Sequence, residues 1–508
     1  MNTFVRNRKP WVIGATGVLA LAELLSGCRV GPRYQAPPPP AVTAPDYKES
    51  TVNFKDADGW KVANPQDAMI RGKWWEIFHE PELNDLEEQL NSNNQNIKVS
   101  FNNLMEARAV VAQARAQFWP TISVGPSWNR SRSSANLRNS SQANTGTTST
   151  LWSVPMDISW TPDLWGKIRN EVRTEQYAAQ VSAADLELEK LTEQASLAEY
   201  YFEIRGQDML QQILNETVKD DQAALDAAQG AYDAGTGDYI TVAEAQSTLK
   251  AAQSSAANVG LLRAQYEHAI ATLTGKLATD FSIPAKPVVY TAPPIPTGMP
   301  SQLAERRPDV AAAERTLAEA NATIGIGYGA FFPQVTLSAG GGFESSLFKH
   351  LFDAPSRFWS IGPSLSQTVF NGGLYRAQLH QYQAIYNADL ATYRQTVLAA
   401  FQQVEDALVA TRVYSQQILD QQDAVKSSQK FLDLEMLRYQ AGVDPYVNVV
   451  TAQTTLLTNQ VTLNSLQVEE MMSAVQLVQA LGGGWDRSQL PTPQEAGAKQ
   501  PSSAYKTQ

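Results

Sequence analysis

Four short segments of the chain alternate apolar and polar residues with a period of two. They are residues 120–129, 152–161, 333–344 and 359–369, and Trp or Phe lies near their ends. Period two with one apolar and one polar face predicts half-buried strands. Strands of about ten residues with terminal aromatic side chains are typical of an outer-membrane β-barrel. A pair of hairpins on a soluble sheet is the alternative reading, in which the polar faces would not line a wet lumen.

The remaining pattern is helical and unusually long. Residues 374–441 contain no Gly or Pro, and residues 167–283 contain no Pro. A helix of about 65 residues spans roughly 100 Å. The apolar stripe is thin, as with Leu398, Phe401, Val404 and Leu408 among Gln and Ala, which predicts helices packed side by side with one wet face. Each long helix meets a Gly-containing turn, at 234–238 and 441–445, and a helix of about forty residues then returns the chain.

The chain is also duplicated. Matching residues recur at one offset of 207 (359 − 152, 482 − 275): Trp152 and Trp359, Gly166 and Gly373, Gly235 and Gly442, Gln246 and Gln453, Gly275 and Gly482. Upstream, Phe118-Trp119-Pro120 matches Phe331-Phe332-Pro333 at an offset of 213 (331 − 118). The difference of six falls in a loop of variable length between the two matched regions. A tandem duplication of about two hundred residues predicts one pseudo-symmetric structure.

Four strands are too few to close a barrel, which needs about eight. Because open strand edges are not tolerated in lipid, each chain must contribute part of a shared barrel, and the protein must oligomerise. The competing hypothesis is a lipid-anchored structural or adhesive coiled-coil protein without a pore. That hypothesis accounts for the long helices and leaves the polar strand faces unexplained.

The N-terminus carries an export signal. Basic residues precede an apolar segment, 11–25, that is too short to span a membrane, and Leu25-Ser26-Gly27-Cys28 closes it. This pattern predicts a lipoprotein signal, with Cys28 lipidated as the first mature residue; an ordinary secretory signal with an incidental cysteine is the alternative. Cys28 is the only cysteine, so it makes no internal disulfide. Arg29, where inner-membrane lipoproteins carry Asp, favours an outer-membrane location, and 37–45 form a Pro-rich spacer.

Charge and motif content exclude several function classes. The net charge of -11 argues against a nucleic-acid partner. The four histidines, His79, His268, His350 and His380, are scattered without metal-ligand spacing. No nucleophile motif or phosphate-binding loop is present in the sequence, so we expect no catalytic residues, no metal site and no cofactor. A lipoprotein enzyme is the least favoured of the three hypotheses.

Short motifs along nearly the whole mature chain carry a family resemblance. They are Cys28-Arg29-Val30-Gly31-Pro32-Arg33-Tyr34, Trp74-Trp75, Pro81-Glu82-Leu83, Arg306-Arg307-Pro308-Asp309-Val310, Phe370-Asn371-Gly372-Gly373 and Tyr439-Gln440-Ala441-Gly442. Together with the strand entries at Pro120 and Pro333, they resemble the lipoprotein (NodT-type) branch of the TolC-like outer membrane factors.

This resemblance implies a mainly α fold with β: a trimeric outer-membrane β-barrel of four strands per chain, twelve in total, continued by a long periplasmic α-helical barrel. It implies a passive gated duct for small toxic molecules such as drugs, metals or organics. The implied partners are two further copies of the chain, a periplasmic adaptor protein, an inner-membrane pump of the RND type and outer-membrane lipid.

The resemblance also assigns residues to the site. Carried over by position, the periplasmic aperture falls on Val447, Asn448 and Thr451, with Tyr439 and Asp444 beside the turn. Family members often have acidic residues at the positions of Asn448 and Thr451, so a ring of Asp444 is the substitute, and a plain turn-forming role is its alternative. Asp238 and Glu244 are weaker candidates for the same region. The adaptor-docking tips are Gly235, Thr236, Gly237, Asp238, Gly442, Val443 and Asp444.

The expected organisation follows from these assignments. Residues 1–27 form the signal peptide, 28–80 a lipid-anchored extension, 81–290 the first repeat, 291–485 the second repeat and 486–508 a C-terminal tail. We expect segments near 59–80, 276–300 and 483–508 to form a mixed belt around the middle of the long helices.

Overall fold

A computed structural model describes residues 30–38, 47–49, 72–134, 148–295 and 303–497. Cys28 and the predicted signal peptide lie outside these described residues. The helices and strands follow one another as α1 (Pro81–Asn93), α2 (Gln95–Ala116), β1 (Thr121–Val124), β2 (Ser127–Arg132), β3 (Thr148–Trp160), α3 (Lys167–Asp233), α4 (Tyr239–Leu273), α5 (Leu303–Arg306), α6 (Pro308–Gly329), β4 (Gln334–Ser345), β5 (Arg357–Ser366), α7 (Leu374–Gln440), α8 (Tyr446–Ala480) and α9 (Pro493–Ala496).

The duplication predicted from the sequence is present in the fold. Helices α3 and α7 both have 67 residues, α4 and α8 both have 35, and α2 and α6 both have 22. The long helices therefore measure roughly 100 Å, as predicted, and the returning helices are somewhat shorter than the expected forty residues. Within the described residues, no helix is sufficiently long and apolar to cross a membrane.

Glycine sets the turn at the end of each long helix. Gly235 and Gly442 have φ of 72° and 69°, a left-handed backbone conformation that residues with a Cβ rarely adopt. The following amides then reach back to the helix, with Thr236 N donating to the Ala231 carbonyl and Val443 N to that of Arg438, both at 2.9 Å. This bonding satisfies carbonyls that the helix end leaves without partners and turns the chain sharply into the returning helix.

The strands form one antiparallel sheet in the order β1-β3-β4-β5, and β2 also pairs with β3. Val124 pairs with Met156 and Ser127 with Ser153, so β1 and β2 keep one register and are a single strand interrupted at 125–126. The four predicted strands are thus present, with corrected ends. The first extends to Arg132 and the second begins at Thr148, three residues beyond and four residues before the predicted bounds of 129 and 152.

The fourth strand was predicted too long. It ends at Ser366, and the Thr368 and Val369 positions that seemed to continue its alternation lie beyond it. Val369 is 94% exposed in the single chain. Alternation alone does not mark the strand end here because an exposed apolar residue outside a strand gives the same local pattern.

A belt of aromatic residues packs at the middle of the long helices. Trp74 is fully buried and contacts Trp75 and Phe78 edge-on. The ring centroids of Phe78 and of Phe202 in α3 are 5.0 Å apart. The same core includes Ile283 from the segment after α4 and a face of α8 near Val475. The described parts of the first two predicted belt segments, 72–80 and 276–295, therefore contribute to this core. The third contributes Leu490 to it and then continues to α9, where Ala496 packs against Val111 and Ala179.

A buried ionic cluster ties this belt to the helices. Arg205 of α3 is completely buried and pairs with Glu82 of α1 and with Asp208, at 2.9 Å for the latter. Asp208 also accepts from Arg263 of α4 at 2.7 Å and from the Lys286 amide at 2.9 Å. Breaking a buried pair by removing one partner is costly because a charge is left without compensation. The cluster therefore ties α1 and the segment after α4 to α3.

The N-terminal extension runs along the same helices. Val30 donates its amide to the Trp165 carbonyl at 3.2 Å, at the junction between β3 and α3. Gly31 passes so close to α6 that an added Cβ would lie 2.7 Å from Gly325 Cα. Further along, the amides of Lys48 and Glu49 donate to the Glu405 carboxylate of α7 at 2.7 and 3.0 Å. The extension thus contacts both repeats.

One buried carboxyl in α3 lacks a full set of partners. Asp221 is 2% exposed, and its Oδ2 has no hydrogen-bond partner among the described residues. Burial, with a smaller effect of Asp220, raises its pKa to about 6. The repeat-equivalent residue of α7 is Ser428, which donates to the Ala424 carbonyl and accepts from Asn459 at 2.8 Å. The two repeats therefore differ at this buried position: the Ser428 hydroxyl makes hydrogen bonds, whereas one oxygen of the Asp221 carboxyl has no partner among the described residues.

We predict that Asp221→Asn stabilises the protein in a pH-dependent way. The pKa of Asp221 in the fold lies above its ordinary value of 3.8, so folding favours the neutral acid. Its unfavourable contribution is absent well below pH 4, grows as pH rises from about 4 to about 6 and is complete above that, at on the order of 1–3 kcal/mol per chain. Thermal unfolding of the protein in detergent should show a higher Tm for Asp221→Asn at pH 7.5 and a much smaller difference at pH 4.

The exposed neighbour gives the matched control. Asp220→Asn removes the same charge from the adjacent, solvent-facing position and should change Tm much less at pH 7.5. Equal Tm values for Asp221→Asn and the unmodified protein at pH 7.5 would contradict the assignment of a buried, destabilised carboxylate.

Candidate channel wall and aperture

The sheet has one polar and one apolar face, and its register shows both directly. Ser123, Asp157, Gly340 and Ser360 form one row across the four strands. The next row is Ile122, Ile158, Ala339 and Ile361. Neighbouring residues of a strand point to opposite faces, so the polar and apolar rows lie on opposite sides of the sheet. This is the arrangement of a wall between water and lipid.

A glycine makes room for polar groups on the first of these faces. A Cβ added at Gly340 would lie 3.1 Å from Asp157 Oδ1 and 3.3 Å from Ser360 Oγ. Without a side chain at this position, the carboxylate and the hydroxyl flank an open patch of backbone. The apolar face is fully displayed in the single chain, where Ile361 is 76% exposed and Trp359 79%.

Within the described residues, both outer edges of the sheet are unpaired. β1 and β2 bond only to β3, and β5 bonds only to β4. Each edge is a row of backbone donors and acceptors that requires a partner strand in a hydrocarbon environment. The sheet of one chain is therefore an incomplete wall.

The turn between α7 and α8, here called the second tip, lies at the far end of the long helices and is held by an ion pair. Arg438 of α7 reaches across the turn and binds both carboxylate oxygens of Asp444, the Nη2–Oδ1 distance being 3.1 Å. This contact lowers the pKa of Asp444, chiefly through the hydrogen bond from Arg438. Tyr439 packs on Tyr446 with ring centroids 5.3 Å apart. Asp444 thus serves the local turn, and its charge is already paired within one chain.

The turn between α3 and α4, the first tip, is stabilised by different contacts. Asp238 is the N-cap of α4 and accepts from the Thr241 amide at 2.8 Å, and this backbone hydrogen bond lowers its pKa. Tyr232 and Tyr239 repeat the aromatic pair of the other tip, with centroids 5.6 Å apart. The docking residues Gly235, Thr236 and Gly237 are all exposed here, as are Gly442 and Val443 of the second tip.

The predicted aperture residues lie at the start of α8. Val447 and Thr451 are exposed on the same side of the helix, Asn448 is half-buried, and Tyr446 and Val449 between them face the core near the tips. Val447 and Thr451 thus belong to a solvent-facing stripe, and Tyr439 lies at the edge of the core. The structure of a single chain brings these residues to one tip.

Sequence reasoning missed two features of this region. One is Arg438 as the partner of Asp444; the signal for it was a basic residue six positions upstream across a glycine turn. The other is a threonine ladder along α8, in which each hydroxyl donates to the carbonyl four residues back at 2.7–2.8 Å, at Thr451, Thr454, Thr455, Thr458 and Thr462. Because these donors are used internally, the exposed face of α8 presents neutral acceptor oxygens.

The duplication places a carboxylate at the equivalent level of the other returning helix. Glu244 of α4 corresponds to Thr451 of α8 by the offset of 207. It is half-exposed. Burial raises the pKa of Tyr446 to about 12, and the carboxylates of Asp221 and Glu244 add smaller effects in the same direction. The acid that is missing at Thr451 is therefore present in the first repeat, close to the second tip.

The histidines do not converge on a site. Among the described residues, no group of three His, Cys, Asp or Glu side chains could hold a metal ion. His350 instead contacts Asp353 at 2.7 Å in the connection between β4 and β5, and His79 caps the turn before α1.

Comparison with known proteins gives consistent matches. A family model described as outer membrane efflux protein matches residues 86–276 and 299–483. The chain is 29% identical to the antibiotic efflux pump outer membrane protein ArpC of Pseudomonas putida over 484 residues, 94% of this chain and 97% of that protein. It is 30% identical to the toluene efflux pump outer membrane protein TtgI of Pseudomonas putida over 470 residues, 92% and 97% of the two chains.

Solved structures share the fold. The outer-membrane channel OprN has a TM-score of 0.80 and 26% identity, with coverage of 90% of this chain and 100% of that one. The CmeC outer membrane channel of Campylobacter jejuni also has a TM-score of 0.80, with 22% identity and coverage of 91% and 96%. This chain thus has the fold of outer-membrane channels of similar length.

We predict that Asp444→Asn loosens the second tip. Loss of the carboxylate frees Arg438 from the turn, so amide hydrogen exchange over 438–446 should become faster. Because the pKa of Asp444 is lowered, its stabilising contribution is present above the ordinary value of 3.8 and is lost only as pH falls through the lowered pKa. In the unmodified protein, protection of this turn should therefore stay constant between pH 5 and pH 8, after correction for intrinsic exchange rates.

The control is Asp433→Asn on the same helix. Asp433 is exposed and, within the part of the chain that the structure describes, accepts from Gln429 at 3.0 Å. It should leave exchange over 438–446 unchanged. Equal protection of this turn in Asp444→Asn and the unmodified protein would show that the ion pair does not hold the tip.

Proposed function

Because the chain belongs to the outer membrane efflux protein family, we propose that it is the outer-membrane channel of a tripartite efflux system. The observation that carries this proposal is the two-faced sheet with open edges, joined directly to helices of about 100 Å. The sheet forms part of a wall across the membrane, and the helices continue the conduit into the periplasm. A lipid-anchored rod without a pore would need neither the polar row through Asp157 nor the apolar row through Ile361.

The assembly we propose is a homotrimer. Three sheets of four strands give a twelve-stranded closed barrel, with β5 of each chain beside the β1–β2 strand of the next. Closure satisfies every strand edge, which a single sheet in lipid cannot do. It also covers apolar side chains that the single chain exposes on its helices, such as Leu398, Leu419 and Leu437 of α7 and Leu261 of α4.

The N-terminal lipid adds a second membrane contact. Val30 is bonded at the junction of strand and helix, and Cys28 precedes it by two residues in the sequence. Acyl chains on Cys28 would therefore enter the periplasmic leaflet at the base of the barrel. Each buried methylene contributes roughly 0.8 kcal/mol to this anchoring.

Transport through this protein is passive, and its partners supply the driving force. The two tips, with Gly235 and Gly442 at their turns, form the surface for a periplasmic adaptor protein. An inner-membrane pump of the RND type then delivers the cargo. The relatives' names include antibiotic, toluene and solvent efflux and pyoverdine export. From these we propose small organic molecules as the cargo, with selection exercised by the pump.

The periplasmic aperture is proposed at the start of α8. Val447 and Thr451 would line it, with Asn448 beside them and Tyr439 supporting the turn. Thr451 and Asn448 contribute no charge to the aperture. Asp444 is neutralised by Arg438 within its own chain. Glu244, one per chain, then supplies a carboxylate close to this level.

Accessibility of two adjacent residues tests the channel directly. Ser360 lies on the polar face and Ile361 on the apolar face of β5. In bilayer recordings, a charged, water-soluble thiol reagent should reduce the single-channel conductance of Ser360→Cys and leave that of Ile361→Cys unchanged. The native Cys28 is expected to be lipidated and therefore unreactive, which the unmodified protein controls for.

The contrast between the neighbours decides the result. Block at both positions, or at neither, would mean that the polar face does not line a conducting lumen. Block only at Ile361→Cys would reverse the assignment of the two faces.

A further inference from the structure

Three arginines lie on the apolar face of the sheet, all at one end. Arg130 and Arg132 of β2 pair with Thr150 and Thr148 of β3, two and four residues beyond Trp128 on the same face. Arg357 is the first residue of β5, on the face that carries Trp359 and Ile361. All three side chains are exposed. Each edge strand of the sheet thus ends in cations that point away from the lumen side.

These arginines are at the end of the barrel remote from the helices. β1 follows α2 within a few residues and β3 leads into α3, so the opposite ends of the strands, at Arg132 and Thr148, point away from the helical part. If the helices extend into the periplasm, as the proposed function requires, the arginine end lies in the outer leaflet. The inference therefore rests on the proposed function.

The protein itself provides no counter-charge here. None of the three guanidinium groups has an ion pair or hydrogen bond among the described residues; Arg357 lies over the Phe343 ring at 6.0 Å. The sequence 133–147 contains no Asp or Glu, and 346–356 contains only Asp353, which contacts His350. Glu344 is on the polar face, in the row of Ser153.

Barrel closure concentrates this charge. Arg130 and Arg132 are at one edge of the sheet and Arg357 at the other, all next to the connections remote from the helices, so closure would bring all three to each seam between chains. Cations on the lipid face cost about 2–4 kcal/mol at the bilayer midplane and about 0–1 kcal/mol near an interface. Three like charges at one seam are favourable only beside an anion, and the planar guanidinium suits phosphate in bidentate geometry.

We propose that each seam binds the phosphate groups of an anionic glycolipid of the outer leaflet. The guanidinium groups of Arg130, Arg132 and Arg357 would contact the phosphates. The acyl chains would lie against the apolar rows below, next to Trp128 and Trp359. The site would attach the barrel to its surrounding lipid and bridge adjacent chains through a shared ligand.

Binding of a diphosphorylated glycolipid, lipid A, to the full-length protein in detergent tests this proposal. The variant Arg130→Gln/Arg132→Gln/Arg357→Gln should bind lipid A at least about tenfold more weakly than the unmodified protein, since three charge-assisted contacts are lost. Dephosphorylated lipid A should bind the unmodified protein as weakly as lipid A binds the variant. Millimolar inorganic phosphate should not displace lipid A, because the site also uses the acyl chains.

A variant with the same loss of charge elsewhere is the control. Arg376→Gln/Arg394→Gln/Lys430→Gln removes three exposed cations of α7 and should bind lipid A as the unmodified protein does. Both triple variants should keep the mass and conductance of the unmodified protein, because the substituted side chains are exposed.

The two proposals fail in different ways. A trimeric, conducting protein that binds phosphorylated and dephosphorylated glycolipid equally, or whose two triple variants behave alike, would overturn the glycolipid site and leave the channel intact. A monomeric, non-conducting protein would overturn the proposed function and the seam site with it. Loss of lipid A to competing inorganic phosphate would identify a simple anion site and contradict the glycolipid assignment.

Discussion

An unpaired strand edge cannot face hydrocarbon, and this constraint organises the whole molecule. The chain contributes four strands whose outer edges, β1–β2 and β5, have no partners among the described residues. In a membrane these backbone groups must be bonded, and closure with further copies of the same sheet is the available solution. Once the sheet closes, its polar row through Asp157 encloses water, and its apolar row through Ile361 faces lipid.

The duplication gives the chain two copies of the same unit. Each repeat contains one hairpin, one long helix of 67 residues and one returning helix of 35 residues. Left-handed glycines at Gly235 and Gly442 end both long helices at equivalent positions. The tips nevertheless differ: Asp238 caps a helix, whereas Asp444 pairs with Arg438.

Much of this architecture was predictable from the sequence because its signals are periodic and long. The offset of 207, the strand alternation and the absence of proline over long stretches each constrain many residues together. What the sequence did not reveal depends on single contacts. The end of the fourth strand was misplaced because Val369 continues the alternation beyond Ser366. The sequence is compatible with two roles for Asp444, and its contact with Arg438 assigns it to the turn. Neither the strand edges nor the aperture can be completed from one chain.

The mass of the purified protein in detergent, measured with its single-channel conductance in a planar bilayer, tests the central claim most directly. The account predicts a particle of three chains that conducts, with small and infrequent openings. A monomeric particle without conductance would contradict it, because four strands with open edges cannot form a pore, and the lipid-anchored rod would then be the better description.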